Sequence, residues 1–450
     1  MENSVLTVAK FGGTSVANHD AMSKCAAIVA ADNGIRVVVV SASAGVTNLL
    51  VELAHTAMTP QQRDGLIEQV KGIQFAILAD LGQPKDVADK LDTLLMQLEE
   101  LAHHEELLHQ GELKDALLSL GERMSSLLFS EVLNQRGVTA RNFDVRKVLR
   151  TDSEFGQAAP QLQSIADAAQ SLMTPELADT VLVTQGFVGA DDQGRTTTLG
   201  RGGSDFTAAL LAEALHADVC QIWTDVVGVY TTDPRITAAA RPLPELSFEE
   251  AAEMANFGAK VLHPATMEPA LRQDIKVFVG SSREPEKGGT WIMKDCTHEP
   301  PYRAITRRKE QVMVTVKTPQ MVHAQGFLQS VFTIIAKHNL SVDLVTTSEI
   351  AVSFTLDNPA NSVSERLNRE TLQELREFCE VEVESGYDLI TVVGNNMHSA
   401  AGVSSKIFAS INAFNLRMIC YGANPHNMSF LVDEKTSGEV VTVLHRALFE

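Results

Sequence analysis

The residues best suited to chemistry in this 450-residue chain sit beside glycines. Lys10-Phe11-Gly12-Gly13-Thr14-Ser15 closes the apolar run "VLTVAK" with a cation, two bare backbone units and two hydroxyls. A strand ending in Gly-Gly before a helix exposes consecutive N–H groups, which suits an anion. Glycine lets phosphate oxygens reach the backbone with no Cβ in the way. Lys10 could then neutralise charge on a transferring phosphoryl group. The stretch fits neither common phosphate-loop pattern, and by itself a plain tight turn accounts for it equally well.

A second glycine turn, Gly200-Arg201-Gly202-Gly203-Ser204-Asp205, opens the helical stretch "DFTAALLAEALH". Helix capping would explain Ser204 or Asp205. It does not explain Arg201, whose planar fork is shaped to grip a carboxylate. A third turn, "SASAGVTN", offers Ser41, Gly45 and Thr47. All three turns follow strand-like runs, so a parallel sheet would bring them to its carboxyl edge, where open α/β folds bind ligands. "IWTDVVGVYTTDPR" adds Thr224, Asp225, Tyr230 and Arg235, and "FGAKVLHP" adds Lys260. With a net charge of -20, the chain must gather cations locally to hold a polyphosphate. The same charge argues against nucleic acid or an anionic membrane as partner.

Glu122 in "LGERMSSLLFSEVL" has Leu118, Ser125 and Ser126 as helical neighbours. A carboxylate turned to such a face needs a partner, and a substrate ammonium would serve; a solvated helix glutamate is the plain alternative. "HHEELLH" at 103–109 resembles a zinc pattern, but His104 and His109 are five apart and diverge on a helix, so a solvated helix is expected and no metal site.

The elements that must position these residues follow from patterning. "VLTVAK", "HDAMSKCAAIVAAD" and "IRVVVVSAS" read as a β-α-β unit, which implies a parallel sheet. From about 52 to 137 β-branched clusters vanish, and Leu91, Leu94, Leu95, Leu98 and Leu101 recur at helical spacing, marking a helical insertion. Strands return with "TVLVTQGFVG", "VCQIWTDV" and "IKVFVGSS", with helices such as "SFEEAAEMANFGAKVL" between them. Residues 1–295 are therefore expected to form one α/β domain, bounded by the Pro- and Gly-rich stretches at 282–303.

Beyond them the sequence repeats. Residues 326–357 align without a gap on 402–433, with identities at Gly326/Gly402, Phe332/Phe408, Ile335/Ile411, Asn339/Asn415, Leu340/Leu416, Ser353/Ser429, Phe354/Phe430 and Asp357/Asp433. Each copy reads strand, helix, strand, strand, so a duplicated α+β module is expected, cut into 304–385 and 386–450. Asp343, Ser348 and Glu349 of the first copy correspond to Ile419, Asn424 and Pro425 in the second. Only the first copy is equipped for a cationic ligand, and the second is expected to serve packing and subunit contact.

Five scattered cysteines with no C-x-x-C pair fit reduced thiols and a cytoplasmic protein. No secretion leader or membrane span is expected.

"KFGGTSV", "SASAGVTN", "TLGRGGSDFTA", "WTDVVGVYTTDPR" and "FGAKVLHP" resemble the signature runs of aspartate kinases, of the amino acid kinase family. The paired C-terminal copies resemble ACT domains, so the resemblance spans the chain, and it is greatest to the monofunctional, lysine-sensitive class. It implies an amino acid kinase-type sandwich around a mainly parallel sheet, followed by two ferredoxin-like ACT modules. It implies ATP with Mg²⁺: Lys10, Gly12 and Gly13 on the phosphates, and Thr224, Asp225, Tyr230, Arg235, Lys260 and Val261 on the nucleotide. L-Aspartate would meet Ser41, Thr47, Glu122, Arg201, Gly202 and Ser204. Lys10 and Asp205 would be catalytic, Asp205 either orienting Lys10 or holding Mg²⁺ through water. L-Lysine as effector would meet Met321, Gly326, Phe327, Leu328, Ser341, Val342, Asp343, Ser348 and Glu349, with Ala324 where some relatives carry a hydroxyl. Paired modules imply a homodimer or a dimer of dimers. A glutamate kinase fits Glu122 and Arg201 equally well. A non-catalytic amino-acid sensor is opposed by the intact Lys10, Arg201 and Asp205. Nothing after residue 303 offers the dinucleotide fingerprint of a fused dehydrogenase.

Overall fold

The computed structural model describes residues 5–200, 202–259, 266–321, 325–356 and 367–450. Contacts divide the chain into two units. One holds Met1–Val229, Pro242–Phe248 and Lys260–Cys296; the other holds Tyr230–Arg241, Glu249–Ala259 and Thr297–Glu450. Two segments of the expected 1–295 domain thus belong to the second unit.

In chain order the elements up to residue 296 are β1 (Thr7–Phe11), α1 (His19–Ala31), β2 (Ile35–Val40), α2 (Val46–His55), α3 (Pro60–Asp80), α4 (Lys85–Ala102), α5 (Gly111–Gln135), β3 (Ala140–Asn142), α6 (Leu162–Leu172), β4 (Val181–Gln185), β5 (Val188–Ala190), β6 (Thr196–Thr198), α7 (Gly203–Ala214), β7 (Val219–Thr224), β8 (Glu245–Ser247), α8 (Phe248–Asn256), α9 (Met267–Gln273), β9 (Lys276–Ser281) and β10 (Gly289–Met293). The first unit is built on an eight-stranded sheet in the order β3-β4-β2-β1-β7-β9-β10-β8. It is parallel from β3 to β9, with β10 antiparallel to β9. β1 is buried along its whole length and β2 nearly so, which is why both read as unbroken apolar runs.

Alternation then decides which side chain meets which layer. Ala9, Phe11, Val38 and Val40 join α1–α5 in one large core that takes in Leu91, Leu95 and Leu98, with Leu94 and Leu101 packed at its margin. Lys10 lies between Ala9 and Phe11, so it points to the opposite face, where α7 lies against β1, β2 and β7.

Two expectations are corrected here. The stretch 103–109 is not a helix: α4 ends at Ala102 and the chain turns, anchored by buried Leu107. The helix expected through "FGAKVL" ends at Asn256, and Gly258 follows with φ +107, a left-handed conformation no helix continues through. Among the described residues no helix is long and apolar enough to cross a membrane.

The second unit adds β11 (Ala304–Lys317), α10 (Phe327–Lys337), β12 (Val342–Thr347), β13 (Ala351–Leu356), α11 (Arg369–Arg376), β14 (Glu380–Val393), α12 (Val403–Ser410), β15 (Met418–Tyr421), β16 (Asn427–Asp433) and α13 (Ser437–Phe449). Its six-stranded antiparallel sheet runs β12-β13-β11-β14-β16-β15. Both 14-residue strands serve two modules. Residues 312–317 of β11 pair with β13, whereas 387–393 of β14 pair with β16, and β11 and β14 pair with each other on both sides of a break at 308–313. Glu310, at φ +59, sits in that break. The expected cut at 385/386 falls inside β14.

The duplication persists to the dihedral angle. Gly326 and Gly402 both cap the module helix at φ +87. Ser353 meets the Thr315 hydroxyl at 2.9 Å, and Ser429 meets that of Thr391 at 2.8 Å. Each module buries its own core, one around Val314, Ile335 and Phe354, the other around Val392, Ile411 and Phe430.

Candidate active site

Register aligns the carboxyl ends of the central strands: Phe11 lies beside Val40 and Trp223, Val40 beside Gln185, and Thr224 beside Ser281. The main chain stays laddered as the turns begin, Gly12 N–H donating to Trp223 O, Ser41 N–H to Phe11 O, and Gly186 N–H to Val40 O. Gly13 lies so close to the next turn that a Cβ there would stand 2.9 Å from Ala42 O. "KFGG" and "SASAG" follow β1 and β2 and touch at this edge, whereas the second glycine turn follows β6, which pairs with β5 in a separate two-stranded sheet; it reaches the edge through the start of α7, not as the end of a strand of the parallel sheet.

Lys10 is 9 % exposed, and its Nζ lies 2.6 Å from Asp205 Oδ1. Asp205 does not cap α7; the cap is Gly202, at φ +78, and Asp205 stands in the first turn facing the sheet. The helix start is pressed onto the end of β4, where a Cβ on Gly186 would stand 2.5 Å from Ser204 Cβ. A buried pair of this kind is costly to break from one side, about 3–5 kcal/mol, because the remaining charge is stranded.

Glu122 on α5 is 5 % exposed and accepts the Ala42 N–H at 3.1 Å. Burial pushes its carboxyl up to about 8, while the Ala42 N–H and the charge of Lys10 pull the other way. One turn on, Ser125 donates to Ser41 O at 2.7 Å. The helix approaches so closely because residue 121 is glycine; a Cβ there would stand 2.7 Å from Ala42 Cβ. Thr47 is exposed in the first turn of α2, and Ser41 is half-buried. Thr224 ends β7, with its hydroxyl 3.3 Å from exposed Asp225.

Tyr230 and Arg235 fall in the second unit. There Arg235 is exposed and paired with Asp233 at 2.7 Å. Arg201, Lys260, Val261 and Ala324 lie outside the described residues.

The anticipated effector residues all lie in the first module but form two groups. Ser341 precedes β12 and Val342 and Asp343 begin it, while Ser348 and Glu349 follow its other end. Met321, Gly326, Phe327 and Leu328 lead into α10, and Thr318 N–H donates to Ile350 O, tying this segment to the second group. At 3.3 Å per residue the two ends of β12 are roughly 16 Å apart, farther than one lysine reaches. Asp343 is paired with Arg308 at 2.5 Å, and Arg308 also donates to Asn256 O at the end of α8. Sequence reasoning missed this arginine, whose role depends on the break in β11. It also missed what fastens α8. Glu250 meets Arg303 at 2.7 Å and Asn395 at 2.5 Å, and Glu253 accepts from Asn424 and Asn427.

Comparison with known proteins agrees with this architecture. The profile of the amino acid kinase family matches residues 5–281, and an ACT-domain profile matches 390–448. The lysine-sensitive aspartokinase 3 of Escherichia coli is 49 % identical over 449 residues, covering 99 % of this chain and 100 % of that one. The crystal structure of E. coli aspartokinase III with aspartate and ADP superposes with a TM-score of 0.89 at 49 % identity, covering 99 % of this chain and 100 % of that one. Its T-state complex with lysine and aspartate superposes at 0.85, with the same identity and coverage. The chain belongs to the amino acid kinase family and, within it, to the aspartokinases.

Proposed function

We propose that the chain transfers the γ-phosphoryl group of ATP to the side-chain carboxylate of L-aspartate, giving 4-phospho-L-aspartate, and that L-lysine inhibits it through the first ACT module. The observation that carries this reading is Lys10, held by Asp205 at the sheet edge with the carboxylate of Glu122 buried nearby. A side-chain oxygen of aspartate attacks the γ-phosphorus in line, the bond to the bridging oxygen breaks, and ADP leaves, with no phospho-enzyme. Lys10 and the Gly13 N–H stabilise charge on the phosphates, while Gly12, whose N–H is already given to Trp223 O, leaves room for the phosphate oxygens to approach. Glu122 takes the substrate ammonium, and Arg201, Gly202 and Ser204 take its α-carboxylate, with Ser41 and Thr47 beside them. Thr224, Asp225, Tyr230, Arg235, Lys260 and Val261 are assigned to the nucleotide. Mg²⁺ supplies charge neutralisation on the phosphates; the hard oxygens of Asp205 suit it, held through water.

The split of the effector residues between the two ends of β12 supports a homodimer. Antiparallel apposition of two copies would set Asp343 of one chain beside Glu349 of its partner. Five free thiols support a cytoplasmic setting.

Trapping the acyl phosphate with hydroxylamine tests the reading, with aspartate and glutamate as acceptors and lysine, threonine and methionine as inhibitors. Aspartate should be preferred and lysine should inhibit; preference for glutamate would overturn the substrate assignment.

A further inference from the structure

One buried carboxylate in the first unit has no part in the chemistry above. Asp115 lies on α5, 1 % exposed, and accepts three hydrogen bonds. Thr198 N–H and Gly156 N–H both donate to Oδ2 at 2.8 Å, and the Thr198 hydroxyl donates to Oδ1 at 2.9 Å. Two main-chain N–H donors converge on one carboxylate oxygen and a hydroxyl meets the other, so both oxygens are engaged.

What Asp115 grips is the base of the second glycine turn. Thr198 is the last residue of β6, two before Gly200. Its carbonyl accepts from Ala158 N–H at 2.9 Å, so the 156–158 segment lies along it. Gly200 in turn abuts Gly156 O, 3.3 Å from where its Cβ would be. Asp115 thus fastens both sides of the platform from which the turn departs.

The position of Asp115 on its helix gives this grip a purpose. It precedes Glu122 by seven residues, so the two lie on nearly one face about 10 Å apart. At its Glu122 end the helix holds the "SASAG" turn, through Ala42 N–H and Ser41 O. At its Asp115 end it holds the strand end and the 156–158 segment that meet Gly200, from which the turn assigned above to the substrate α-carboxylate departs. We propose that Asp115 is a positioning residue for aspartate, fixing the distance between the 200–204 turn and Glu122. This rests on the reading of those two elements as the aspartate contacts.

The test separates positioning from general support of the fold. Thr198→Val is isosteric and removes only the hydroxyl donor, while Asp115→Ala removes both acceptor oxygens. Each loses hydrogen bonds to a buried charge, so the KM for aspartate should rise several-fold in the first and on the order of tenfold or more in the second. The KM for ATP should stay at the wild-type value, and Thr198→Ser should restore the aspartate KM. Folding is followed in parallel by thermal melting, and the valine variant carries the test should the alanine variant fail to fold. Unchanged aspartate KM in folded variants, or equal rises in both KM values, would overturn the proposal. Should the wild-type chain prefer another amino acid, the substrate reading fails, and the same split measured with that amino acid still decides the role of Asp115.

Discussion

Lys10 shows how a single side chain acquires a role from its neighbours. On β1 it is the charged member of a buried strand, which would be a liability without Asp205 2.6 Å from its ammonium. Removing it should leave lysine binding intact and lower kcat by on the order of 10²–10³, as loss of one preorganised donor does elsewhere. Glu122 makes a separate prediction. Its carboxyl, pushed up to about 8, keeps its proton in the unliganded chain below that pH. The substrate ammonium needs the ionised form, so kcat/KM for aspartate should climb about tenfold per pH unit below 8 and level above it. Glu122→Gln should flatten that slope. Stability runs the other way: with its folded value above the ordinary 4.5, the contribution of Glu122 is fully present below 4.5 and is lost as pH rises through about 8.

At the scale of elements, close backbone approach decides the geometry. The start of α7 meets the end of β4 only because residue 186 has no Cβ. Gly186→Ala should cost about 1–3 kcal/mol, seen as a lowered denaturation midpoint, since Ser204 and the helix start must move. Patterning made much of this legible. Apolar runs located β1, β2, β4, β7 and β9, leucine spacing located α4, and the glycine turns located the sheet edge. The tight approaches at Gly13, Gly121 and Gly186 were not legible, because a glycine in sequence does not say what lies opposite it. Asp115 was equally silent, being one acidic residue in an amphipathic helix whose donors come from Gly156 and Thr198, over 40 residues away.

For the whole molecule, the two units are not the two halves of the sequence. Segments 230–241 and 249–259 belong with the ACT half, which composition could not reveal because their contacts are made 50 to 200 residues later. The ion pair of Glu250 with Arg303 is almost fully buried. Glu250→Ala should therefore lower stability by about 3–5 kcal/mol, measurable by denaturant titration. The repeat itself was plain from eight identities, but the sharing of β11 and β14 was not, since strand pairing leaves no mark on either strand alone. Glu349→Ala and Asp343→Asn chains should each lose lysine inhibition. In the proposed dimer, mixing the two should regain one intact site and part of the inhibition, since the proposed effector site draws on both copies.

The most direct measurement is the rate of 4-phospho-L-aspartate formation by the wild-type chain and by Lys10→Ala, at saturating ATP and aspartate with both proteins shown to be folded. The wild type should form the acyl phosphate, and the variant should be slower by two to three orders of magnitude. A folded Lys10→Ala chain turning over at the wild-type rate would contradict the placement of Lys10 at the transferring phosphoryl group, and with it the assignment of the active site to this sheet edge.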